Sequence, residues 1–512
     1  MKLRSWIVSL LLGLLLWSGF MGSSSANPPV VDSPRLTIAA SPSPNQSAAV
    51  LHVLNRLSFG ARPGDVDRVT QMGIETYIQS QLSPSTIALD PNLTQQLSQL
   101  ETLNMSPPEL VRNYQPPQVG RGKLSQEAMR AARQKSRRVM QQALEAKLMR
   151  SVSSPRQLEE VMADFWYNHF NVFGGKGLTR VWTGAYEQQA IRPYALGRFR
   201  ELLGATSRHP AMLFYLDNWQ NTAPNSKGAR GRFKGLNENY ARELMELHTL
   251  GVNGGYTQQD VIALAKIFTG WGLQRAKGKQ AGMQNGFYFD ADRHDFSDKV
   301  FLGKTIKGSG MAEGEQALDM LARSPITARR ISYQLAQYFV ADRPPQTLVD
   351  KLSQQFQATD GDIRAVLNTL VHSAEFRDPK FYNAKFKTPY QYVISAMRAT
   401  GVDATAMTSG KNLLALYGML KQWGMAPYGC ISPDGYKNTQ EAWLNPDALL
   451  RRITFATALA NGRFNQGNPV DTAQLTRTLG NNFSDRTKEV LNSSPAALQA
   501  SLILGSPELM RR

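Results

Sequence analysis

From Val50 onward, apolar side chains recur at helical spacing in one segment after another. In VLHVLNRLSFGARPGDVDRV, Val50, Leu51, Leu54 and Leu57 fall on one stripe of an α-helix. Phe59-Gly60 stops that helix, and Pro63 starts another with Val66, Val69 and Met72 on its inner side. The same period runs through YTQQDVIALAKIFTGW, ITARRISYQLAQYFV, GDIRAVLNTLVHSAEF and PDALLRRITFATALA. Such stripes are buried by packing on one another, and no alternation of strand and helix patterns points to a parallel sheet. The main strand signal is FYFDADRHDFSDKVFLGKTIKG, where Phe287-Tyr288-Phe289 and Val300-Phe301-Leu302 flank a polar loop, as in a short hairpin. The pattern predicts a mainly α, multi-helix globular domain with one small β-hairpin element.

The first residues bear on compartment. MKLRSWIVSLLLGLLLWSGF places Lys2 and Arg4 ahead of an apolar run, and Ser24-Ser25-Ala26 follows with the small residues a signal peptidase needs. Residues 1–26 read as a secretory signal peptide and 27–46 as a flexible Pro/Ser-rich leader. A single large α-helical domain is expected over 47–460 and a helical extension over 461–512. No later stretch is long and apolar enough to span a bilayer, so the expected address is periplasmic or extracellular, with no transmembrane segment after signal removal. Cys430 is the one cysteine, so no internal disulfide can form and packing must hold the fold.

Formal net charge is +18, which favours acidic partners. In LSQEAMRAARQKSRRVMQQALEAKLMRSV, Arg130, Arg133, Lys135, Arg137 and Arg138 form either a strip for an anionic polymer or an ordinary solvated face. Export makes nucleic acid an unexpected partner and leaves an anionic polysaccharide or envelope polymer as the candidate.

Three stretches could carry chemistry. In DFWYNHFNVFGGKG, His169 shares an apolar helix face with Phe165 and Val172, while Asp164, Asn168 and Asn171 form a neighbouring polar stripe. His169 is then either a satisfied core imidazole or an acid/base or ligand turned into a cleft. In LNENYARELMELHTLG, Asn237 is a plausible N-cap and Gly251 a stop. Glu238, Arg242 and Glu246 are spaced for ion pairs, while Asn239 and Glu243 complete the polar stripe. In FDADRHDFSDK, Asp290, Asp292, Asp295 and Asp298 surround His294 in one short stretch, the donor set of a loop for a divalent cation, although the EF-hand pattern fails. No phosphate loop, dinucleotide fingerprint or GxSxG elbow occurs, which disfavours nucleotide chemistry.

Taken together, VLNRLSFGARPGDVDRV, DFWYNHFNVFGGKG, HPAMLFYLDNWQN, LNENYARELMELHTLGVNGGYTQQDVIALAKIFTGWG, RHDFSDKVFLG and KTPYQYVISAMRATG resemble the domain of unknown function 1800 family of exported bacterial proteins. The resemblance implies a mainly α exported domain and groups Asp164, His169, Glu238, Glu243, His294 and Asp295 as motif positions. It implies no substrate. GMAPYGCISPDGYKNTQEAW departs from the family's shorter, proline-rich turn, and Cys430 lies within it.

Two functions stay open on the sequence. One is an exported, metal-assisted hydrolase or lyase acting on an anionic envelope or extracellular polymer. There, Glu238 and Glu243 would be base or ligands, and His169 and His294 acid/base or ligands. Asp290, Asp292, Asp295 and Asp298 would hold the cation, and Arg242, Asn239 and Asn168 the substrate. The other is a basic scaffold that binds an acidic surface polymer or secreted partner, with the motifs as buried polar networks.

Overall fold

The computed structural model describes residues 44–115, 125–274, 285–408 and 410–512. The expected signal peptide and most of the leader lie outside them; the helix Pro44–Leu57 begins within the leader's last residues. At the centre lies the helix Gln157–His169, where Leu158, Val161, Met162 and Trp166 are fully buried. Each such side chain contributes about 1.5–3 kcal/mol relative to exposure. The Trp166 indole donates to the Ala195 carbonyl at 3.0 Å, so the large ring is buried without an orphaned N–H.

The long helix Gln126–Ser153 turns Val139, Leu144, Leu148 and Val152 inward. It packs on the helix Thr179–Tyr186, where a Cβ on Gly184 would lie 2.8 Å from that of Ala143. Arg130, Lys135, Arg137 and Arg138 are exposed, as a solvated face requires. Residues 461–512 belong to the same compact unit, Pro42–Arg512. Their helix Ala496–Leu504 packs on Pro446–Ala460, and Lys387 N–H donates to the Met510 carbonyl at 2.9 Å.

The fold is mainly α, and the small β content differs from the expected single hairpin. Phe287–Phe289 (β2) pairs with Trp271–Leu273 (β1), and Lys299–Phe301 (β3) pairs with Lys304–Ile306 (β4), both antiparallel. The two flanks of the polar loop therefore do not pair with each other. Leu302 and Gly303, both at positive φ, close a tight turn that takes β3 onto β4. Between the two sheets, His294 is drawn inward and its ring hydrogen-bonds Glu313 at 2.8 Å.

The stretch 236–251 also differs from a uniform helix. It runs as Asn239–Glu243 and then widens into a π-turn, Leu244–His248. The extra residue per turn carries His248 into the core at 1% exposure. Asn237 still acts at the start, where its side chain accepts from Asn239 N–H at 3.1 Å.

Five histidines are buried among the described residues: His294 in its pair with Glu313, and four others in the helical core. Burial holds His52, His169 and His209 at a pKa of about 3, and it lowers His248 as well. The unfolded chain, with histidines near ~6.5, binds more protons than the native state below that pH. This contribution is therefore complete above about pH 6.5 and is lost as pH falls towards 3, by up to ~1.4 kcal/mol per pH unit for each group. Urea midpoints measured from pH 7 to pH 4 should fall accordingly. His209→Asn, which retains an acceptor for the Ala211 N–H now bound at 3.1 Å, should flatten the slope.

Candidate functional site

A cleft of about 520 Å³ opens beside the C-terminal half of the helix Gln157–His169. The helix Pro325–Phe339, the start of the helix Pro389–Ala399 and a strap over 425–439 complete its walls. Lys147, from the apolar end of the long helix, forms the floor. Its Nζ lies 2.9 Å from Asp164 Oδ1 and 3.3 Å from Glu187 Oε2. The rings of Tyr390, Tyr428 and Tyr167 surround the ammonium at 5.5, 5.7 and 5.8 Å. Burial opposes the lysine charge, but Asp164 and Glu187 outweigh it and raise the pKa.

The network continues inward. Tyr428 Oη donates to Glu187 Oε2 at 2.9 Å, and Arg192 joins Glu187 to Glu160. Burial alone would raise the Glu187 pKa, yet Lys147, Arg192 and Arg150 hold it below the usual range. Asp164 is the most exposed carboxylate of the three, at 18% against 5% and 4% for Glu187 and Glu160. It presents the network to the cleft.

The strap is tied down by the polar stripe read from the sequence. Asn168 clamps Tyr436 at both backbone groups, at 2.8 and 2.9 Å. Asn171 donates to the carbonyls of Cys430 and Ser432 at 3.0 and 2.7 Å. Gly435, at φ 72°, lets the strap pass: a Cβ there would lie 2.3 Å from the Asn168 carbonyl oxygen. Cys430, within the strap, is buried, and burial pushes its thiol pKa up.

His169 lines the cleft, but its ring is committed. Nε2 donates to the His248 carbonyl at 3.1 Å, and burial with the nearby Arg330 charge keeps the imidazole neutral. Asp434 lines the cleft from the strap, and its neighbours determine its charge. Burial would raise its pKa, but Ser432 and Lys437 hold it low. Glu243 stands one turn before Leu247, which lines the cleft. No hydrogen bond or ion pair holds Glu243 among the described residues. Burial, Glu246 and Asp434 raise its pKa, against Arg242.

Other predicted site residues are placed elsewhere. Glu238 and Arg242 pair at 3.1 Å and share Gln258, while Arg242 reaches Glu246 at 3.5 Å, so the ion-pair ladder forms. Asn239 ties its helix to the Leu216 carbonyl at 3.1 Å. His294 is not at the cleft. Its Nε2 bonds Glu313, whose other oxygen holds Lys299 at 2.6 Å, and these side chains are at most 2% exposed. A sealed centre of this kind fixes the β1–β4 region and is closed to a substrate. The expected cation loop does not assemble either. Asp290 pairs with Arg293, Asp298 with Lys307, Asp295 with Ser297, and Asp292 is exposed. Among the described residues no cluster of three or more His, Cys, Asp or Glu could hold a metal ion.

Lys147, Glu187, Asp434 and Arg330 were not singled out from the sequence. One signal was present for Lys147: it stands among Ala143, Leu144, Ala146 and Leu148 after the basic run has ended. Removing that charge should expose its value. Lys147→Met removes the ion-pair partner of Asp164 and one of the two of Glu187, and should cost about 3–5 kcal/mol in chemical denaturation. The triple change with Asp164→Asn and Glu187→Gln should cost less than the single one.

No curated protein and no solved structure matches the chain. The family model described as a protein of unknown function, DUF1800, matches residues 52–511. That span takes in the helical core, the cleft and its strap, and the chain belongs to the DUF1800 family.

Proposed function

We propose that this is an exported enzyme that cleaves an anionic envelope or extracellular polymer in the cleft, by acid–base hydrolysis or elimination. The observation that carries the reading is the pair Glu243 and Asp434. Burial and nearby acids, Asp434 among them, raise the Glu243 pKa, while Ser432 and Lys437 hold that of Asp434 low. Two such groups beside one cleft divide the acid and base roles between them. Asp434, kept ionised by Ser432 and Lys437, takes a proton from water or from the substrate. Glu243, which retains its proton to higher pH, gives one to the leaving oxygen.

The lining suits a hydroxyl-rich chain with acidic groups. Arg330 lines the cleft without a carboxylate partner among the described residues, and its Nε is unbonded. It can take a carboxylate or sulfate by a charge-assisted fork. Asn438 Oδ1 also lacks a partner among the described residues and would accept from a sugar hydroxyl. Export rests on the N-terminal signal pattern. No step is assigned to a metal, because the aspartates expected to hold one do not converge.

Purified protein should be assayed on a panel of anionic polysaccharides for chain cleavage. With an active substrate, Glu243→Gln and Asp434→Asn should each lower kcat/KM by roughly 10²–10⁴. The wild-type profile should be bell-shaped: activity falls at low pH as Asp434 protonates and at high pH as Glu243 ionises. Folded variants with wild-type rates would sink the assignment. Saturable polymer binding without cleavage would favour a scaffold role instead.

A further inference from the structure

A second centre lies outside the cleft, where buried positive charge exceeds what its neighbours offset. Arg56, Lys385, Lys387, Arg452 and Arg512 are each at most 3% exposed. Asp342 is the carboxylate that ion-pairs with this group among the described residues, through Lys385. Asp164 also attracts Arg512 but is already committed to Lys147. Among the described residues the Lys387 ammonium donates to Ser395 Oγ at 2.7 Å and the Leu509 carbonyl at 2.8 Å, with no carboxylate. Burial, Arg512 and Arg452 lower its pKa to about 7. Several guanidinium nitrogens have no hydrogen-bond partner among the described residues: Nε and Nη1 of Arg56, Nη1 of Arg452 and Nε of Arg512. Buried charges of one sign are costly unless an opposite charge meets them.

One of these cations reaches a cavity. Arg452 lines a space of about 180 Å³ with Trp423, Trp443, Gln422 and Asn445. Its guanidinium is held against the rings of Phe386 and Tyr392 at 4.2 and 4.9 Å, and Nη2 donates to the Lys387 carbonyl at 2.7 Å. Nη1 is left over. The acid that shares the wall, Asp447, is taken by Arg451 at 2.6 Å. Asn445 uses its oxygen to cap Ala448 at 2.8 Å, which leaves its amide hydrogens as donors.

We propose that this cavity binds a small oxyanion of the phosphate or sulfate class, which accepts from Arg452 Nη1 and offsets the positive charge buried behind it. A tetrahedral oxyanion offers separate acceptor atoms to the guanidinium and to the amides of Gln422 and Asn445, whereas a halide has one atom to share among them. The site is independent of the cleft chemistry, and its failure would leave the Glu243–Asp434 pair untouched.

Calorimetry and thermal unfolding of the whole protein, with sodium phosphate or sodium sulfate against sodium chloride at equal ionic strength, test the proposal. Phosphate or sulfate should bind saturably and raise Tm, with chloride inert. Gln422 is exposed, so Gln422→Glu should fold and place a carboxylate in the cavity. That variant should have a higher Tm without added oxyanion and at least tenfold weaker phosphate binding. Equal responses to all three salts, or wild-type phosphate affinity in Gln422→Glu, would overturn it.

Discussion

A single ammonium group ties the molecule together. Lys147 Nζ sits between Asp164 and Glu187 and under three tyrosine rings. Its partners come from the helix Gln157–His169, the π-turn Glu187–Ile191, the helix Pro389–Ala399 and the strap. A buried lysine is tolerable only if its charge is matched and its donors are used, so these segments must meet at that point. The floor of the cleft is thereby fixed before any ligand arrives, which is the preorganisation a binding or reacting site needs.

The polar residues divide into those that hold the fold and those left able to act. His294, Glu313 and Lys299 satisfy one another out of reach of solvent. Asn168 and Asn171 use their amides on the strap backbone. Glu243 and the Arg330 Nε, by contrast, have no such bond among the described residues. Glu238 precedes one short helix and Glu243 ends it, and they are spent differently: the first closes a surface ion pair, and the second is half-buried with its pKa raised by burial and nearby acids.

Much of the fold was legible in the chain. The stripe from Val50 to Leu57, the stop at Phe59-Gly60 and the helix within YTQQDVIALAKIFTGW all occur as local rules dictate. The site was legible only in part. Asn168 and His169 were named and do line the cleft, while Glu243 was named and lies beside it. His294 was named for its chemistry and proved structural, because acid–imidazole pairs look alike in sequence whether sealed or open. Asp434 lay in the segment marked as a departure from the family and gave no periodic signal.

Local physics acts over one or two helical turns, and that range is what the sequence by itself determined: mainly helical segments, their inward faces, their caps and an excess of basic residues. Only the tertiary structure decided which charges would meet. Lys147 and Glu187 are 40 positions apart, and Asn168 and Tyr436 are 268 apart. Pairings over such separations are selected by the cost of burying an unmatched charge or amide once the helices pack, and no periodicity in the chain encodes that cost.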